Sequence, residues 1–122
     1  MTSLSDQFDS SRLDHLLALV GPALAPDLLR QLDEDLSGCS RSIADAARET
    51  DWKALRDGSH VLISLAGSAG AVRLHALAQS LNAAAHERDS AALENLLPGL
   101  TTDLQTLIAI VRARSAASLT LP

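Results

Sequence analysis

The sequence predicts an all-α fold: an antiparallel up-and-down four-helix bundle with a short additional N-terminal helix. Three observations carry this expectation. Leu and Ala dominate while only 2% of residues are aromatic, which leaves little of the β-branched and aromatic material that strands favour. Apolar residues recur every three or four positions, the helical period. The segments marked in this way are joined by connections short enough to make sequence neighbours antiparallel neighbours in space.

The first segment, from Arg12 to Leu19, takes Ser10 or Ser11 as its N-cap and stops at Gly21-Pro22. It is too short to be stable unless packed on the rest, so it is expected across one end of the bundle. A long second helix is predicted from about Pro26 to Glu49, with the stripe Leu28, Leu29, Leu32, Leu36, Cys39, Ile43 and Ala47 set among acids and arginines. Thr50 or Asp51 caps a third helix, whose stripe Leu55, Ser59, Leu62, Ala66 and Ala69 runs until Gly70 offers a stop. The fourth carries Leu74, Leu77, Ala78, Leu81 and Ala85 on its apolar side and His75, Gln79, Asn82 and His86 on the other. The fifth runs from Ser90 to about Arg114. Pro98-Gly99 predicts a kink or a loose first turn there, before Leu100, Leu104, Leu107, Ile108 and Val111 continue the stripe. Residues 1–9 and 115–122 are expected to fray.

Length and charge then narrow the function. The 122 residues fit a single domain spanning 1–122, with one core and no room for a nucleotide-binding domain beside a substrate domain. Ten Lys and Arg stand against fifteen Asp and Glu, for a net charge of -5, and Lys53 is the only lysine. Nucleic acid is therefore not an expected partner, since tracking phosphates requires a basic patch. The start, Met1 to Asp6, lacks the basic and then apolar pattern of a signal peptide. No apolar run approaches the roughly 18 residues of a membrane span. A soluble, cytoplasmic protein with no membrane partner is expected, and stripes of this width suit a monomer. The single cysteine, Cys39, lies on an apolar helix face and reads as core filler.

Most catalytic patterns are missing. The chain has no phosphate loop, no Gly-x-Ser-x-Gly elbow and no Cys or His pairs at metal spacing, so no cofactor is expected on it. Of the four histidines, His15 falls in the first helix, and His75 and His86 read as solvated side chains on the polar face of the fourth. His60 differs. At about 100° per residue it lies roughly 200° from Leu62, pointing away from the core at mid-helix. Lys53 and Arg56 precede it on the same face, and Ile63, Ser64 and Gly67 follow. An exposed imidazole with cations on one side and small residues on the other suits a nucleophile that a partner's active site must reach. Gly58, Gly67 and Gly70 reinforce this, because a mid-helix glycine costs up to ~1 kcal/mol against alanine and calls for a packing or docking reason.

The stretch from Asp51 to Leu74 resembles the histidine phosphotransfer (HPt) domains of two-component phosphorelays. Ser59, His60, Leu62, Ala66, Gly67, Gly70-Ala71 and Leu74 match that family's pattern at their places. The order of elements agrees too: a long second helix, the histidine in the next, and a last helix broken near its start by Pro98. Two positions depart. The lysine usual three residues after the histidine is Ile63 here, and the glycine usual at four is Ser64.

The resemblance implies that His60 accepts a phosphoryl group from a receiver-domain aspartate and relays it to another receiver. The chain would be a carrier and not an enzyme in its own right. The Mg²⁺ ion would belong to the receiver, and the partners would be response-regulator receiver domains, a hybrid histidine kinase, or both. Arg56 is the nearest group to supply the charge that the family lysine gives, through hydrogen bonds to phosphoryl oxygens. Asn82, 22 residues after His60 where relatives often carry Gln, would orient the imidazole by a hydrogen bond; otherwise it is a solvated helix residue. Lys53, Ile63, Ser64 and Gly67 would form the docking surface, with Val61 or Leu65 adding to its apolar centre. Ile63 and Ser64 also fit a second reading, an unphosphorylated HPt-like adaptor or inhibitor that binds a receiver or kinase. A third, a purely structural bundle, leaves the glycines unexplained.

Overall fold

The computed structural model describes residues 9–120. Five helices follow one another: α1 (Ser10–Val20), α2 (Ala25–Glu49), α3 (Trp52–Ala69), α4 (Val72–Glu87) and α5 (Ser90–Thr120). Helices α2 to α5 form a ring in which each packs on its two neighbours, α2 on α3, α3 on α4, α4 on α5 and α5 back on α2. The predicted up-and-down bundle is present. Among the described residues no helix is long and apolar enough to cross a membrane.

Local chemistry sets the helix ends. The Asp51 carboxylate accepts from the Ala54 N–H at 3.1 Å and caps α3. Gly70 ends the same helix in the left-handed region, at φ 76° and ψ 20°. For α1 the cap is Asp9, not Ser10 or Ser11: its carboxylate accepts from the Ser11 N–H at 3.1 Å. The expected fraying at residue 9 is also corrected, because Asp9 donates its own N–H to the Gly70 carbonyl. Residues 1–8 and 121–122 lie outside the described residues.

The core is the predicted stripes turned inward. Leu36 and Ile43 of α2 meet Leu55 and Leu62 of α3, Leu74 and Leu81 of α4, and Leu100, Leu104 and Val111 of α5, all buried. Leu28, Ala47 and Leu77 sit at the edge, half-buried. On α1, Leu13 is fully buried, and this helix packs on α2 and α3.

The expected interruption of α5 at Pro98 and its expected end near Arg114 are corrected. The helix runs unbroken through Pro98, whose missing N–H would have bonded the Glu94 carbonyl. Both residues are exposed, and a helix carbonyl freed at the surface can be satisfied by solvent. The helix also continues beyond Arg114 to Thr120. An ion pair from Arg114 to Asp14 of α1, at 2.6 Å, holds this end to the body of the fold.

Candidate functional site

His60 stands at the middle of α3 and faces solvent, whereas Ser59 before it and Leu62 after it are fully buried. This is the placement expected from helical periodicity. The imidazole makes no hydrogen bond or ion pair with any described residue. Next to it Val61 is 49% exposed, a large apolar side chain left on the surface.

The structure puts the other site residues around this point. Arg56, one turn before, is half-buried, and its guanidinium has no ion-pair partner among the described residues. Lys53, two turns before, is exposed and pairs with Asp57 at 3.3 Å across one turn of helix. Ser64 is exposed, and Ile63 and Gly67 are half-buried. On the other side of α3, a cleft of about 490 Å³ opens toward α2, lined by Val61, Leu65, Gly38 and Gly58 with the exposed acids Glu34 and Asp57. Cys39 lines it too, but its thiol is buried, reaches the Gly58 carbonyl at 3.3 Å, and is pushed by burial up to about 11. A thiol kept protonated in this way is not a nucleophile at neutral pH.

Helix α4 supplies the polar contacts beneath the site. Asn82 is half-buried, and its amide nitrogen donates to the Ser59 hydroxyl at 3.1 Å and to the Arg56 carbonyl at 3.3 Å. Ser59 in turn donates its hydroxyl to the Arg56 carbonyl at 3.1 Å. Asn82 thus bonds the helical turn that carries His60 and not the imidazole itself.

His75 is not the solvated side chain expected from its face. It is half-buried, and its Nδ1 donates to the Ile63 carbonyl at 3.0 Å. The ring lies over Gly67, where a Cβ would come within 3.2 Å of Nδ1. Small residues along the facing sides of α3 and α4 let the two helices approach and cover the edge on which His75 stands. A glycine at 67, one turn after position 63 on the same face, is the sequence signal that something packs there. Ser59 carries its own signal: a serine on an apolar stripe needs a partner, and the carbonyl one turn back is the nearest. His86 is exposed, as expected. Among the described residues no group of three or more His, Cys, Asp or Glu side chains is placed to hold a metal ion.

The ring of four helices thus presents, at the middle of α3, a solvent-facing histidine with no partner among the described residues. The family model of the Hpt domain matches residues 23–113, well over half of the chain and reaching into all four bundle helices, and the chain belongs to the Hpt domain family. No curated protein and no solved structure matches it at a significant level. Hpt domains are phosphorelay carriers and not autonomous enzymes, and the family implies receiver domains as partners.

Proposed function

We propose that His60 is the phosphoacceptor of this Hpt domain, taking a phosphoryl group from a receiver aspartate and passing it to a second receiver. The observation that carries the reading is the exposed, unbonded imidazole at mid-helix, on the face where α3 offers Ser64 in place of bulk. The unprotonated ring nitrogen attacks phosphorus in line, an N–P bond forms, and the O–P bond to the aspartyl carboxylate breaks. Transfer to the second receiver is the reverse at another carboxylate. Such transfer depends chiefly on positioning and charge stabilisation. The carrier supplies the nucleophile and the docking face, and the receiver brings its own Mg²⁺.

Arg56 supports the phosphoryl group. Its guanidinium has no competing partner among the described residues, and it stands one turn from His60. Ile63, Ser64 and Gly67 form the docking surface with Val61, and Lys53 lies at its rim, partly neutralised by Asp57. The protein acts as a cytoplasmic monomer of one domain, with a receiver protein or a hybrid histidine kinase upstream.

A transfer assay tests this. Wild type and His60→Gln are mixed with phosphorylated receiver domains from the same cell and scored for acid-labile label. Label on wild type alone is the expected result. No label from any receiver, with receiver binding that survives His60→Gln, would replace this reading with that of an adaptor.

A further inference from the structure

We infer that Asn82 and His75 together form a two-point clamp by which α4 positions the backbone turn carrying His60. The inference rests on the reading of His60 as phosphoacceptor and adds the two residues that fix its place. Neither is a catalytic residue: both act through the α3 main chain.

The clamp brackets the histidine. Asn82 reaches the Arg56 carbonyl at 3.3 Å and His75 reaches the Ile63 carbonyl at 3.0 Å, so α4 holds α3 one turn before His60 and one turn after it. The first of these carbonyls has a special place. In an α-helix the N–H of each residue bonds the carbonyl four back, so the Arg56 oxygen accepts the N–H of His60 itself. That oxygen therefore collects the His60 amide, the Ser59 hydroxyl at 3.1 Å and the Asn82 amide nitrogen, and the Asn82 nitrogen also bonds the Ser59 hydroxyl at 3.1 Å.

Packing alone does not call for this. Apart from Ser59, whose buried hydroxyl is already satisfied by the Arg56 carbonyl, the nearby inward positions are apolar: Leu55, Leu62 and Ala66 on α3, and Ala78, Leu81 and Ala85 on α4, all buried. Polar side chains enter the α3–α4 seam at the two levels that flank His60. Gly67 gives the His75 ring its room, since a Cβ there would sit 3.2 Å from Nδ1. Both donors end on backbone carbonyls, which leaves the imidazole free for the partner. A nucleophile whose ring is unrestrained gains its placement from a fixed turn, and a displacement of about 1 Å costs on the order of a hundredfold in rate.

The experiment measures phosphotransfer from a phosphorylated receiver at several receiver concentrations for wild type, Asn82→Ala, His75→Phe and His75→Gln, with thermal unfolding and amide hydrogen exchange alongside. Asn82→Ala removes one donor, His75→Phe keeps a ring without a donor, and His75→Gln restores an N–H. The expected result is a maximal transfer rate lower by about tenfold in the first two, a half-saturating receiver concentration within about twofold of wild type, faster amide exchange across residues 59–63, and recovery in His75→Gln. Lower melting temperatures with unchanged transfer would overturn the clamp, because the residues would then be structural alone. A loss confined to half-saturation would also overturn it, as a docking defect. If wild type takes no label, the phosphoacceptor reading falls, and the clamp is then judged by exchange alone: protection across 59–63 unchanged in both variants refutes it. Should Asn82→Ala fail to fold, the two His75 variants decide the matter.

Discussion

Asp9 donates its N–H to the Gly70 carbonyl at 2.6 Å, which fastens the start of α1 to the turn between α3 and α4. The fit is close. A Cβ on Gly70 would lie 2.2 Å from the Asp9 carbonyl oxygen, and Gly70 holds φ +76°, a region that L side chains rarely adopt.

Gly70→Ala is expected to destabilise the protein by about 2–4 kcal/mol, from left-handed strain together with the forced displacement of Asp9. Urea unfolding measures the loss, and amide exchange should show α1 losing protection first. Gly38 provides the contrast. It lies within α2 with nothing inside 4 Å of a built Cβ, so Gly38→Ala should stabilise by about 0.5–1 kcal/mol through helix propensity alone.

Asp33 of α2 and Arg112 of α5 tie the two ends of the bundle sequence together. Arg112 Nε donates to both carboxylate oxygens at 3.1 Å, and this bond holds the Asp33 carboxyl below the usual carboxylate range, with the Ser37 hydroxyl helping at 3.0 Å and partial burial opposing. A carboxyl whose folded pKa is depressed contributes stability that is fully present above its unfolded pKa and is lost as pH falls through the folded one. Arg112→Ala should therefore cost about 0.5–1 kcal/mol at neutral pH, a modest value because the pair is largely exposed. The same variant should match wild type once the pH is well below the carboxylate range. Urea unfolding at the two pH values checks the sign.

Cys39 should resist alkylation in the folded protein at mildly alkaline pH and react at once in denaturant. Burial raises its thiol to about 11, so the thiolate is scarce and shielded. Mass spectrometry of iodoacetamide-treated samples reads this directly, and fast labelling without denaturant would show that α2 and α3 part locally near Gly58.

The element order, the inward stripes and the exposure of His60 are legible in the sequence because each follows from the helical period alone. What periodicity does not carry is the distance between helices. His75 belongs to the polar face of α4, and only the close approach of α3 at Gly67 makes it a buried-edge donor to Ile63. The α1 cap shows the same limit on a smaller scale, because Asp9, Ser10 and Ser11 are all competent caps and the contact with Gly70 selects Asp9. Pro98 reads in the sequence as an interruption of α5, yet the helix is continuous through it at an exposed position, which the packed fold decides.

The departure at Ile63 gives the sharpest test of the site. A phosphoryl group on His60 brings a dianion to a surface that, among the described residues, has Arg56 as its unpaired cation one turn away, while Lys53 is shared with Asp57. If Arg56 replaces the family lysine, Arg56→Ala should shift the transfer equilibrium toward the phosphorylated receiver by about tenfold, the loss of one charge-assisted hydrogen bond. Arg56→Lys should recover only part, because an ammonium does not reproduce the guanidinium fork. Placing the lysine back with Ile63→Lys in the Arg56→Ala background should restore the equilibrium, since position 63 lies one turn after His60 on the same face. Raising the salt concentration should weaken every variant that depends on the added charge. Receiver label and His60 label quantified at equilibrium distinguish the outcomes. An Arg56→Ala protein that holds the phosphoryl group as well as wild type would show that the partner alone stabilises the charge, and Ile63 would then act only as an apolar docking contact.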